Sequence, residues 1–163
     1  MFAIGIVAHT KRADQAQTLA KTVNADYITI DNGALGCEGN HQKAWQWMAD
    51  NNTQPWSVVL EDDALPCDDF RLQLQHALAV SPAPVVSLYL GTNYPAHWQP
   101  RIKSALHNHP TAHWLTGPNL IHAVGIAIRT QLLPLKLQSH TAIDQAISNW
   151  CKTNHHLVAH AIP

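Results

Sequence analysis

The sequence predicts an α/β protein with a mostly parallel central sheet. The first sign is alternation. Short apolar runs of strand type, such as Phe2 to Ala8 and Trp56 to Leu60, are separated by segments whose apolar residues recur at helical spacing. The second sign is that the runs read as apolar on both faces, the pattern of strands covered by helices on either side. The third is size: 163 residues suffice for one sizeable core and fall short of two ordinary domains, so residues 1–163 are expected to form a single domain.

The elements follow in order. "FAIGIVA" is the first strand, and "RADQAQTLAKTVN" places Ala13, Ala16, Leu19, Ala20 and Val23 on one helical stripe. "ADYITID" returns to strand, so residues 2–31 make a β-α-β unit with its strands parallel. The loop "NGALG" leads into "CEGNHQKAWQWMADNN", a helix that ends in turn-forming asparagines. "WSVVLED" is the third strand. "DDFRLQLQHALAV" is a helix that Asp68 or Asp69 can cap, and "SPAP" ends it. "VVSLYLG" reads as a fourth strand, whereas residues 92–118 show no sustained period and are expected to be a long irregular loop. "LIHAVGIAIR" is strand-like, "TQLLPLKL" a short or Pro-interrupted helix, "TAIDQAISNWCKT" a helix, and "HLVAHAIP" the closing strand.

Charge and composition exclude some roles. The formal net charge is −1, which offers no basic surplus for nucleic acid. Three cysteines far apart fit neither a disulfide framework nor a close-paired structural zinc site. No segment is long and apolar enough for a membrane span, and the apolar N-terminus lacks the features of a signal peptide; a cytoplasmic location is the expectation. The twelve histidines titrate near neutrality and make net charge sensitive to mild acid.

The chemistry gathers at "SVVLEDDALPCDDF". Five of the eleven acidic residues, Glu61, Asp62, Asp63, Asp68 and Asp69, lie in this stretch, directly after a buried strand. Carboxylates at a strand end can hold Mg²⁺ or Mn²⁺, hard cations that favour oxygen ligands and keep positions free for substrate phosphates. The competing reading is a solvated acidic turn with a helix cap. In parallel sheets ligands collect at the carboxyl ends of strands, which is also where His9, Thr10 and Arg12 follow the first strand and Asp31 ends the second.

Read together, "GALGCEGNHQKAW", "VVLEDDALPCDDF", "SLYLG", "AVGIAI" and "AID" resemble, in order and approximate spacing, glycosyltransferase family 25, the lipopolysaccharide-biosynthesis type. The match spans roughly residues 30–163. Its specific parts are the Gly-Cys-His-Trp run and "LEDD"; Asn40 stands where the family usually has serine, and "AID" where "PVD" is common.

The resemblance implies a glycosyltransferase A-type, Rossmann-like fold, a nucleoside-diphosphate sugar as donor (a UDP-sugar favoured), and a divalent metal, Mn²⁺ or Mg²⁺. It places Asp63 on the metal and Glu61 or Asp62 on the metal or the donor ribose. His160, near the end of the chain, is the further metal ligand it suggests, the alternative being a histidine with its ring in solvent. "AHTKR" resembles the nucleotide-binding start of such folds, with His9 and Thr10 toward base or ribose and Arg12 toward the diphosphate. Asp31 can accept the imide proton of a uracil, though an Asp-Asn-Gly turn also selects aspartate. Asn40 and His41 are donor-side candidates, while Cys37 and Trp45, at four-residue spacing with His41, are expected to pack.

Asp144, at the start of the helix near the C-terminus, is the catalytic base that the resemblance implies, or else a first-turn aspartate favoured by the helix dipole. The expected activity is inverting sugar transfer to a glycan or other hydroxyl. Two other readings remain open: a noncatalytic nucleotide-sugar or glycan-binding domain, and a metal-dependent nucleotide hydrolase or nucleotidyltransferase.

Overall fold

The structure, a computed structural model, describes residues 1–91 and 94–162. Thr92 and Asn93 of the segment expected to be irregular, and Pro163 of the last expected strand, lie outside the described residues. The strands are β1 (Phe2–His9), β2 (Tyr27–Asp31), β3 (Trp56–Glu61), β4 (Val85–Ser87), β5 (Trp114–Gly117), β6 (Gly125–Arg129) and β7 (Val158–Ala161). The helices are α1 (Ala13–Val23), α2 (Gly36–Asn51), α3 (Phe70–Ala79), α4 (Gln99–Asn108) and α5 (Ile143–Thr153). The strands form one seven-stranded sheet in the order β2-β1-β3-β6-β4-β7-β5.

The sheet is mixed, which corrects the mostly parallel expectation. The pairs β1/β2, β1/β3 and β4/β7 are parallel, while β3/β6, β4/β6 and β5/β7 are antiparallel. The physical reason is that β6, buried along Gly125 to Ile128, has the continuous apolar pattern of an interior strand, and that pattern carries no direction.

Strand alternation sorts the core onto two faces. Ile4, Ile6, Val58 and Leu60 meet Ala16, Leu19 and Val23 of α1 and Leu74 and Leu78 of α3. Val7, Val59, Ile126 and Ile128 meet Ala44 and Trp45 of α2 and Ile143, Ile147 and Cys151 of α5. A smaller cluster of Leu90, Ile102 and Ile121, with Trp98 and Leu106 against it, seats α4. Close approach of α2 to β1 demands a glycine, since a Cβ on Gly5 would lie 2.9 Å from the Met48 methyl carbon.

Other expectations also change. The segment 92–118 contains α4 and β5. The α4 stripe is one residue wide, Trp98, Ile102 and Leu106, and is interrupted by polar residues, so its period is faint. The β4 ladder is limited to Val85–Ser87, and "TQLLPLKL" forms only a 3₁₀ turn at Thr130–Leu132. Asp69 does stand at the N-cap of α3, but with φ of 52° and no side-chain capping bond.

Candidate functional site

Three parallel strands, β2, β1 and β3, end side by side, and a cleft of about 310 Å³ opens there between the loop after β1, the turn after β2 and the first turns of α2. It is lined by His9, Arg12, Asp31, Gly33, Cys37, Asn40, His41, Glu61 and Asp62, among others. Most of the residues expected to bind a donor thus share one cavity, although they come from segments up to 53 residues apart (62 − 9).

The "LEDD" carboxylates diverge. Glu61, the last residue of β3, has the parity of Val59 and faces α2; Asp62 and Asp63 lie beyond β3, in a turn closed by the Ala64 N–H donating to the Glu61 carbonyl at 3.0 Å. Glu61 Oε1 is 3.2 Å from His41 Nε2. Asp62, its side chain 2% exposed, accepts the His9 backbone N–H at 3.0 Å and pairs with Arg12 Nη2 at 2.9 Å. Both of its oxygens are therefore engaged within the protein. Asp63 is half exposed, 3.6 Å from Arg12 Nη1, and borders a separate pocket with Leu65, Phe70 and Tyr89.

Asp31 ends β2 and organises the turn that follows. Its carboxylate accepts N–H bonds from Gly33 at 2.8 Å and Leu35 at 3.1 Å, and Gly33 takes the φ of 100° that the turn requires. Burial alone pushes its pKa up, but backbone N–H groups of Leu35, Gly33, Gly36 and Asn32 outweigh burial, and the net shift is downward. Asp31 is thus an anion at the cleft.

On α2, Asn40 straps the helix to two strands: its Oδ1 accepts from Thr29 Oγ1 at 2.7 Å, and its Nδ2 donates to the Ala8 carbonyl at 2.9 Å. His41 is fully buried, with Nδ1 lacking a partner among the described residues. Trp45, a turn later, is 1% exposed, as its packing role anticipates. Cys37 departs from that role. It is exposed as a residue, because the first turn of α2 lies at the cleft edge. Partial burial of the thiol itself, and then the charges of Glu61, Glu38, Asp144 and Asp62, push its pKa up to about 11.

The structure does not bring Glu61, Asp63 and His160 together. Registered pairs carry Val59 to Ile126, Ser87 and His160, so His160 lies three strands from β3, roughly 14 Å across the sheet. Its Nε2 is 3.0 Å from the Asn119 carbonyl, in a pocket with Leu90, Ile102 and Ile121. Among the described residues, the one group of three or more metal-ligating side chains is Cys37, His41 and Glu61, with a donor atom of each within 4.8 Å of the others. The signal for it was in the sequence as Cys-x₃-His, a helical one-turn spacing that also suits packing.

Thr10 opens the 3₁₀ turn Thr10–Arg12 and is exposed. His9 Nδ1 accepts from the Lys11 N–H at 3.1 Å. Asp144 sits in the first turn of α5, accepts the Gln145 N–H at 2.8 Å, and is close enough to Cys37 for its charge to act on the thiol.

No protein-family model matches the chain, and no curated relative matches it. Among solved structures, the fold is similar to the crystal structure of A197 from STIV, with a TM-score of 0.55 over 97% of this chain and 81% of that one, at 11% sequence identity. At that identity the likeness concerns the fold alone. No helix among the described residues is long and apolar enough to cross a membrane.

Proposed function

We propose that the cleft binds a nucleoside-diphosphate sugar, a UDP-sugar by preference, and that the protein transfers the sugar to an acceptor hydroxyl. The observation that carries the reading is the gathering of Arg12, Asp31 and the carboxyl ends of three parallel strands around one cavity. Arg12, held by Asp62 and Asp63, keeps a guanidinium at the cleft mouth, where a diphosphate can take bidentate hydrogen bonds. Asp31, an anion, can accept an imide N–H.

Asp63 is the oxygen donor with an open side, and a Mg²⁺ or Mn²⁺ ion with one protein carboxylate and two phosphates is common chemistry. Such an ion would stabilise charge on the departing diphosphate. In the transfer, the acceptor oxygen bonds to the anomeric carbon, the bond from that carbon to phosphate oxygen breaks, and the hydroxyl proton passes to the Asp144 carboxylate.

The divergence of Glu61, Asp63 and His160 favours a second reading, a noncatalytic nucleotide-sugar-binding domain. Turnover separates the two. We expect a UDP-sugar with Mn²⁺ to raise the melting temperature, since ligand at a hundred times its dissociation constant adds about 2.7 kcal/mol. With an acceptor that supports turnover, Asp144→Asn should keep donor binding and lower nucleoside-diphosphate release by about 10²–10⁴-fold. If no nucleotide sugar stabilises the protein with any metal, both readings fail; donor binding without turnover for any hydroxyl acceptor leaves the noncatalytic one.

A further inference from the structure

Cys37, His41 and Glu61 carry three different donor types to one point of the cleft wall. Two of them are one helical turn apart on α2, and the third arrives from the end of β3, where strand parity turns it toward α2. We propose that these three side chains form a binding site for a borderline-soft transition metal of the Zn²⁺ or Co²⁺ class, with a fourth coordination position open to the cleft. The site is independent of the transferase reading and of any ion at Asp63.

The donor set suits that class. Zinc takes thiolate, imidazole and carboxylate, in tetrahedral geometry, and three protein ligands with one open position is its arrangement at accessible sites. Bonds of that kind put neighbouring nitrogen and oxygen ligands about 3.3 Å apart and a sulfur about 3.5 Å from either. His41 Nε2 and Glu61 Oε1 are already 3.2 Å apart, and the thiol, on an exposed residue at the cleft edge, lies within 4.8 Å of them. Mg²⁺ has little use for sulfur or imidazole, so the site is selective against it.

A further observation points to a cation. Glu38, Asp62 and Asp144 add their charges to that of Glu61 around Cys37, so the local field is negative. The His41 ring is wholly buried with Nε2 against the Glu61 carboxylate, so the nitrogen that would hold the ion is fixed in place beside a second ligand.

Cobalt offers a direct readout, because a thiolate ligand gives a sulfur-to-cobalt charge-transfer band and a four-coordinate ion gives intense visible bands. The purified, metal-stripped protein is titrated with Co²⁺, and then with Zn²⁺ to displace it. We expect about one equivalent of Co²⁺ to bind with both sets of bands, Zn²⁺ to abolish them, and Mg²⁺ in large excess to leave them unchanged.

Cys37→Ser should remove the charge-transfer band and weaken binding by more than the roughly 10–100-fold that follows loss of a supporting second-shell group. The exposed position of Cys37 makes an unchanged melting temperature the expected control. Glu61→Gln should weaken binding but retain the sulfur band, and Asp63→Asn should change neither the affinity nor the band. Absence of the band in the parent protein overturns the proposal. So does a band that survives Cys37→Ser, or one that disappears instead with Cys67→Ser.

Discussion

His41 and His160 are both buried, at 0% and 4% exposure, and each leaves Nδ1 without a partner among the described residues, yet their surroundings differ in kind. His41 faces a carboxylate, beside a thiol, in a cleft that also holds Arg12 and Asp31. His160 meets a backbone carbonyl among Leu90, Ile102 and Ile121. The difference follows from strand direction. At the first end, β2, β1 and β3 run parallel and deliver their polar termini to one edge. At the second, β7 is flanked by parallel β4 and antiparallel β5, so the strand termini are divided between opposite edges. Burial of a histidine is common to both ends; convergence of donor groups belongs to the first.

The largest test concerns the seat of His41. Trp45 lies one turn further along α2 and is 1% exposed, so Trp45→Ala should cost about 3–5 kcal/mol in urea unfolding, through lost contacts and the cavity left behind. A loss below about 1 kcal/mol would mean that the helix is not clamped there, and His41 would not be held against Glu61 by the packing of α2.

A smaller effect should follow at Arg12. Its removal by Arg12→Ala leaves the buried Asp62 carboxylate with only the His9 N–H, costing about 1–3 kcal/mol. Because Arg12 is half exposed, the cost should fall short of that for breaking a fully buried pair. A double-mutant cycle with Asp62→Asn measures the coupling, and additive effects would show that the pair does not organise the cleft.

The smallest effect is a pH slope at the other end. Burial lowers the His160 pKa below its ordinary 6.5, with the Asn119 carbonyl opposing and the charge of His122 adding to the decrease. The unfolded chain then binds more protons at this position than the folded one, so stability declines as pH falls below about 6.5 and is regained above it. His160→Gln retains a donor for the Asn119 carbonyl and removes the titration. Its urea midpoint should therefore change less than that of the parent protein between neutral pH and pH about 5. Equal slopes for the two proteins would remove the contrast between a histidine set among carboxylates and one set in an apolar pocket.

Much of the first half of the fold was legible because its signals are local. β1, α1, β2, α2, β3 and α3 fall where apolar periodicity indicates, and the polar strand ends there do line one cleft. The second half was less legible. The stripe of α4 is narrow, β5 has only four residues, three half-covered and one exposed, and β4 is three residues long, so none presents a full period. At the site, the placing of Arg12, Asp31, His41 and Glu61 beside one another was anticipated, whereas Cys37 was read as a packed residue. That reading treated α2 as covered along its whole length, and its first turn is open.

The sequence by itself determined the alternation of strands and helices and the concentration of carboxylates after β3, since a side chain's hydropathy and its neighbours within a turn set both. Only the tertiary structure decided that β5 and β6 run antiparallel to their neighbours, for an apolar run has the same pattern in either direction. It likewise decided that Glu61 meets His41 and Cys37 while His160 remains three strands away. Those distances depend on how α2 lies across β1 and on the order of strands in the sheet, quantities set by the packing of the whole core and by no residue's immediate neighbours.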